Sequence, residues 1–282
     1  MAGRLAIIAG NGLLPVYVAG AARAAGEDPF ILPLKNETDR RWDGFDHAVI
    51  GVGDMAGLGR LIKRHGIERV VLSGGVKKRP AFKEIHVNLR FLLKLPSVVR
   101  TLISGGDDAV LKMVITLLEA QGCRVVGAHE IAPQLLAETG PLGDVKPGHD
   151  DLRDIAVGVA AAEALGRLDV GQGAVVVGGR IVALEGVEGT DRMLQRVADL
   201  RAEGRISPKR RGVLVKLAKP QQDVRADLPA IGLSTVENAA KAGLAGIAVE
   251  AGRALLLQRE DSLDAANRAG LFITGIEAGD AR

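Results

Sequence analysis

The chain of 282 residues has one cysteine, Cys123. No disulfide can form within it, which fits a reducing compartment. Aromatic residues make up only 2% of the chain, with one Trp and one Tyr. A core must then come from Val, Leu, Ile and Ala. Base stacking, the usual grip on single-stranded nucleic acid, has few side chains to work with. A strong charge of one sign is also missing. The 37 basic and 34 acidic residues leave a net +3, which argues against nucleic acid as a partner and suits a small anion or an anionic membrane surface. No run of about 18 uninterrupted apolar residues occurs, so no transmembrane helix is expected. The first residues place Arg4 before an apolar stretch, as a secretory leader does. Asn11, Gly12 and Pro15 interrupt that stretch, and a strand, a turn and a helix are the better reading. The five histidines lack the H-E-x-x-H spacing of a metal site, and neither a G-x-S-x-G elbow nor a G-x-x-x-x-G-K-[ST] loop is present.

What is present is the balance of a globular protein: 47% hydrophobic and 25% charged residues, enough to build a core. Short apolar runs at Leu5–Ala9, Phe30–Leu34, His47–Val52, Val70–Ser73 and Arg124–Val126 read as strands. Helical segments fall between them, from Leu13 to Ala25 and from Met55 to His65. Such alternation predicts a parallel, doubly wound sheet, a Rossmann-like N-terminal domain over residues 1–130. Residues 80–122 read as mostly helical. The Gly-, Pro- and charge-rich stretch ETGPLGDVKPGHDD predicts a linker over 131–150. A mixed α/β domain is expected over 151–282. Its features are a helix from Asp151 to Leu165 and a hairpin of Ala174–Val177 with Ile181–Leu184 around Gly178-Gly179. Thr190 is expected to cap one helix, and Ser234-Thr235-Val236-Glu237 to open another as a capping box.

Four stretches carry candidate chemistry. In AIIAGNGLLP a strand runs through Asn11 and Gly12 into a helix N-terminus, where free N–H groups can hold an anion. The third glycine of a dinucleotide fingerprint is absent, which counts against an NAD(P)-linked oxidoreductase. In LSGGVKKRP, Gly75 precedes Lys77, Lys78 and Arg79, a flexible backbone beside positive charge. The stretch 165–194 gathers Asp169, Gln172, Glu185, Glu188, Thr190 and Asp191 around strand ends; Gln172, Thr190 and Asp191 are its candidates for holding a sugar phosphate. In VKLAKPQQDVRADLPAIG, Pro220 and Pro229 disfavour a helix. If Asp223–Leu228 is extended, Asp223, Arg225 and Asp227 share one face, with Lys216 and Lys219 upstream. Carboxylates there can hold Mg²⁺ or Mn²⁺, and the cationic groups can neutralise phosphate oxygens. A ladder of surface ion pairs would look the same in sequence.

These blocks occur in one order along nearly the whole chain: IAGNGLLP, GGVKKRP, GDDAVLK, GAHEIAPQLL, LDVGQGAVVVGGRIVALEGVEGTD, KLAKPQQDVRADLPAIG and AGLAGIAVEAG. Together they resemble the UDP-2,3-diacylglucosamine pyrophosphatases of the LpxI type. The resemblance implies a cytoplasmic enzyme of two α/β domains with the ligand between them. It implies hydrolysis of the pyrophosphate in UDP-2,3-diacylglucosamine to UMP and 2,3-diacylglucosamine 1-phosphate (lipid X) during lipid A synthesis, with Mg²⁺ as cofactor and attack of water on the phosphorus nearer the sugar. It assigns the essential aspartate of an R-x-D-x-P block to Asp227. The charged face read from the residues themselves adds Asp223 as a second candidate metal ligand and Arg225, Lys216 and Lys219 as the cationic groups. Ala226 stands where a larger apolar residue is expected in that block. A lipid-linked substrate suggests peripheral contact with the inner membrane through residues such as Lys77, Arg79, Lys83, Arg90 and Lys94, beside a helix around Val87–Leu95. A homodimer is expected on general grounds. A UDP-sugar-binding regulatory module without catalysis is the alternative.

Overall fold

The computed structural model describes residues 3–76 and 107–277. Lys77, Arg79 and the basic, helical segment expected over 80–106 lie outside them. The chain divides into two compact units. One runs to Gln134 and includes Asp223–Asp227; the other comprises Leu135–Gln222 and the residues from Leu228 onward.

The first unit is a four-stranded parallel sheet. Its strands are β1 (Arg4–Ala9), β2 (Phe30–Pro33), β3 (Ile67–Ser73) and β4 (Arg124–Val126), in the order β2-β1-β3-β4. Strands buried on both faces need apolar residues at successive positions, and β1 meets this with RLAIIA. Its side chains alternate between two cores. Ala6 and Ile8 join one with Met55, Leu58 and Ile62 of α2 (Met55–His65) and Ile115 and Leu118 of α3 (Asp107–Glu119). Leu5, Ile7 and Ala9 join the other with Val18, Ala19 and Ala22 of α1 (Leu14–Ala24). Helices on both faces make the sheet doubly wound. In α1, Pro15 sits in the first turn, where no intrahelical N–H is lost. In α2, Asp54 caps the start by accepting from the Gly57 N–H at 2.7 Å.

The run His47–Val52 does not form a strand. It touches β2 and the residue after it through single bridges, Ile31 to His47 and Leu34 to Ile50. Ile31 and Lys35 donate backbone N–H groups to this run and its neighbour Asp46, but the residue between them is Pro33, which has no N–H. The ladder therefore misses a rung.

The stretch 131–150, expected as a linker, holds the end of α4 (Ala128–Ile131), a 3₁₀ turn at Pro133–Leu135, β5 (Gly140–Pro141) and the start of α5 (His149–Arg167). The second unit has a six-stranded mixed sheet. To β5 it adds β6 (Gly173–Val177), β7 (Arg180–Leu184), β8 (Val213–Lys216), β10 (Gly246–Glu250) and β12 (Phe272–Ile276), in the order β5-β12-β10-β8-β6-β7. Strands β12, β10 and β8 are parallel, whereas β6 runs against β8 and β7 against β6. A separate pair joins β9 (Ala230–Ile231) to β11 (Leu255–Leu256). In β8, Val213 and Val215 pack under α5, while Leu214 packs with α6 (Gly189–Ala202) and α7 (Leu233–Lys241). The last helix, α8 (Arg259–Ala269), adds Ala266 to that core. The expected hairpin is present. Gly178 and Gly179 turn it at φ of 60° and 80°, a conformation that disfavours other residues.

Two expected helix starts shift. Glu188, not Thr190, is the N-cap of α6, and Gly232 precedes α7, so Ser234 lies inside the helix. In both cases a glycine-containing turn lets the helix begin earlier than the polar residue that resembled a cap.

Candidate functional site

In the first unit, the order β2-β1-β3-β4 places the topological switch between β1 and β3, whose carboxyl ends carry the two glycine-rich loops. Ligands of open α/β sheets collect at this position. Asn11 and Gly75 exchange backbone hydrogen bonds of 2.9 and 3.1 Å and tie the loops together. A side chain at Gly10 would collide with the Gly75 carbonyl, and one at Gly74 would lie 2.5 Å from the Asn11 oxygen. These two glycines are thus required by the crossing of the loops. The Gly12 N–H donates to Asp39 Oδ1 at 3.1 Å, so a carboxylate already satisfies one of the N–H groups expected to meet an anion.

The segment Asp223–Asp227 belongs to the first unit and is a turn, not an extended strand. Asp223 Oδ1 accepts from the backbone N–H of Arg225 at 3.0 Å, an Asx turn that overrides the alternation expected beside Pro229. The same aspartate accepts from Arg225 Nε at 3.0 Å and Nη2 at 2.7 Å. Arg225 Nη1 reaches Glu119 Oε1 of α3 at 2.9 Å. Bonding to Arg225, with further help from the charge of Lys112, holds the Asp223 carboxyl below the usual carboxylate range. Arg225 is pushed up in turn, first by its bond to Asp223. Ala226 packs against the core shared with α2 and α3, so its side chain is turned inward and its small size leaves the charged groups in place. Asp227 is exposed at the end of the turn.

In the second unit, the carboxyl ends of β7, β8 and β10 and the start of β6 meet at one edge of the sheet. Lys216, the last residue of β8, is only 6% exposed. Its Nζ donates to Thr190 Oγ1 at 2.8 Å and to the Ala230 carbonyl at 3.1 Å. Thr190 Oγ1 donates to Glu185 Oε1 at 2.6 Å. Thr190 is therefore a link between a buried cation and a buried carboxylate. Beside it, Glu188, Gly189, Thr190, Asp191, Ala230 and Thr235 line a polar cavity of about 270 Å³ at the N-terminus of α6. That end of a helix favours negative charge. Asp191 is exposed in the first helical turn. Gln172 leads into β6, and its Oε1 is buried without a hydrogen-bond partner among the described residues. Lys219 forms an ion pair of 2.6 Å with Asp169.

Sequence reasoning brings Thr190 and Asp191 to the cavity and names Glu185 in the same polar stretch without giving it a role; Ala230 and Thr235 it leaves out of the site. Glu185 had a readable signal, an acid directly after the apolar run of β7. Thr235 was hidden by its resemblance to a capping box. Among the described residues, no three His, Cys, Asp or Glu side chains gather as a metal cluster. None of the described helices is long and apolar enough to cross a membrane.

Two family models cover successive halves of the chain. The LpxI N-terminal domain model matches residues 4–135 and the LpxI C-terminal domain model residues 138–274. The UDP-2,3-diacylglucosamine pyrophosphatase LpxI of Caulobacter vibrioides is 41% identical over 275 residues, spanning 97% of this chain and 98% of that protein. A solved isoflavone reductase aligns over 98% of this chain and 78% of its own with 12% identity and a TM-score of 0.31, too slight a likeness to bear on fold or function. Matched in both halves and along nearly its whole length, the chain belongs to the LpxI family.

Proposed function

We propose that the protein hydrolyses the pyrophosphate of UDP-2,3-diacylglucosamine, releasing UMP and 2,3-diacylglucosamine 1-phosphate for lipid A synthesis. The observation that carries this is the 41% identity to the Caulobacter pyrophosphatase along 97% of the chain. The second unit's site supports it. A buried ammonium, the N-terminus of α6 and a polar cavity are suited to phosphate oxygens whose charge grows as the anhydride breaks. Lys216 stabilises that charge, and Thr190, Asp191 and Gln172 orient the sugar phosphate. In the first unit, Arg225 is fixed by Asp223 and Glu119.

The family resemblance adds a divalent cation. Mg²⁺ is usually held by one or two carboxylates together with substrate phosphate oxygens. Asp223 fits poorly, because both its oxygens already accept from Arg225. The R-x-D-x-P block of the resemblance gives Asp227, which is exposed, as the carboxylate ligand. When bound, Mg²⁺, or Mn²⁺ in its place, would neutralise charge on the pyrophosphate. The acyl chains of such a substrate would bring the enzyme to the cytoplasmic face of the inner membrane.

The test is UMP release from UDP-2,3-diacylglucosamine with Mg²⁺, with Mn²⁺ and with a chelator, for the wild type and Asp227→Ala. Metal-dependent release that Asp227→Ala abolishes while still folding supports the reading. Binding of the UDP-sugar by folded protein without UMP release under any metal would replace it with a regulatory module.

A further inference from the structure

Glu185 is a buried carboxylate that the hydrolytic reading leaves without a task. It is 7% exposed, follows the last residue of β7, and is paired with no cation among the described residues. Two glycines make room for it. A side chain at Gly171 would collide with its backbone carbonyl, and one at Gly173 would lie 2.7 Å from its Oε2. Its backbone N–H donates to the Gly173 carbonyl at 2.9 Å, which fixes the residue against the start of β6. Oε1 receives the Thr190 hydroxyl, whereas Oε2 is buried with no hydrogen-bond partner among the described residues. A carboxylate with an unmet buried oxygen costs stability, so its retention calls for a role.

The hydroxyl supplies that role. A threonine has one O–H to donate. With that proton directed to Glu185, the Thr190 oxygen presents its lone pairs to Lys216, whose Nζ donates to it at 2.8 Å. Without Glu185, the hydroxyl could rotate and point its proton toward the ammonium. We propose that Glu185 is a positioning residue: by accepting from Thr190, which lines the cavity, it orients that hydroxyl to hold the Lys216 ammonium behind it. This rests on the pyrophosphatase reading, in which Lys216 acts on the phosphate.

Steady-state UMP release should be measured for the wild type, Glu185→Ala, Glu185→Gln, Thr190→Val and the double variant Glu185→Ala/Thr190→Val. Glu185→Ala is expected to lower kcat by about 10-fold or more while KM stays within about 3-fold. Glu185→Gln keeps an acceptor oxygen for Thr190 and should return kcat to within about 3-fold of wild type. Because the two residues act in series, the double variant should be no worse than the poorer single one. Wild-type kcat in Glu185→Ala, no rescue by Glu185→Gln, or additive losses would each overturn the proposal. Should Glu185→Ala not fold, Gly173→Ala displaces the carboxylate without removing it and is expected to show the same loss of kcat; unchanged kcat there counts against the proposal. A second readout does not depend on turnover. Acetylation of Lys216 by acetic anhydride at mildly alkaline pH, followed by mass spectrometry, should be about 5-fold faster in Glu185→Ala or Gly173→Ala than in wild type, because once the lysine is released the neutral amine in equilibrium with its ammonium is less protected. Equal rates overturn the positioning role. Absence of UMP release from the wild type overturns the pyrophosphatase reading instead.

Discussion

Replacing Lys216 by Met separates a residue kept for stability from one kept for chemistry. Methionine preserves most of the apolar stem inside the sheet edge and deletes the ammonium. The lysine makes two hydrogen bonds, to Thr190 Oγ1 and to the Ala230 carbonyl, both neutral acceptors. At about 1.5–3 kcal/mol for each bond involving a charged group, the gross loss is about 3–6 kcal/mol. Against it stands the cost of keeping an ammonium out of water, itself several kcal/mol per buried ion. No carboxylate pairs with Lys216 among the described residues to offset that cost. After substitution Thr190 still donates to Glu185, and the Ala230 carbonyl borders the cavity, where water can reach it. The two contributions nearly cancel, so stability should change by no more than about 2 kcal/mol in either direction, a shift of about 4–8 °C in Tm for a unit of this size. Turnover should fall much further. Removing one preorganised group aimed at developing charge costs about 100- to 1,000-fold in kcat. Scanning calorimetry and UMP release measure the two effects on the same preparation. A Tm lowered by more than about 15 °C would make Lys216 a structural residue. Wild-type kcat would remove it from the reaction altogether.

At the opposite end of the second sheet, Asp154 of α5 accepts from the Gly178 and Gly179 N–H groups at 2.8 and 2.6 Å and is 5% exposed. Asp154→Ala leaves two turn N–H groups of the β6–β7 hairpin unmet and should destabilise the protein by about 2–4 kcal/mol in urea unfolding, with kcat of the remaining folded protein little changed. Asp223 provides a pH test. Its folded pKa is depressed, so its contribution to stability is complete above the unfolded value of about 3.9 and is lost as pH falls through the lower folded value. The stability difference between wild type and Asp223→Asn, measured by urea unfolding from pH 7 downward, should therefore shrink below about pH 4; a difference that is constant down to pH 2 would contradict the Asp223–Arg225 pairing.

Much of the fold was legible because buried parallel strands require apolar residues at successive positions. The runs that became β1, β3, β8 and β10 stand out for this reason, and Gly178-Gly179 between two such runs gives the hairpin. The failures have local causes that the same residues explain. His47–Val52 has strand-like composition, but its partner strand contains Pro33, which cannot donate the missing rung. Asp223–Leu228 was read from the proline that follows it. The Asx bond from Arg225 to Asp223, only two residues apart, decided the conformation instead. An aspartate two positions before a residue with a free N–H is itself a turn signal, so this part of the site could have been read correctly.

The Glu185–Thr190–Lys216 chain could not be read in that way, because Lys216 is 26 residues beyond Thr190 and the contact depends on sheet order. The reversal of β6 is what matters. It brings Gln172, at the start of a strand, to the same edge as Glu185, Lys216 and Glu250, which stand at or just beyond strand ends. The polar groups at this edge then differ in how completely the protein satisfies them. Glu250 has both oxygens engaged, one by the Ala218 N–H and one by Arg253, and therefore closes the loop after β8. Glu185 and Gln172 each leave a buried oxygen without a partner among the described residues, and Lys216 is held only by neutral acceptors. Unmet buried oxygens cost about 1–3 kcal/mol each. Within the second unit, the buried side-chain oxygens without a partner among the described residues, those of Glu185 and Gln172, both lie at the β6–β7–β8 end of the edge, whereas Glu250 a strand away is satisfied, and this contrast is why the proposed chemistry is put at that end.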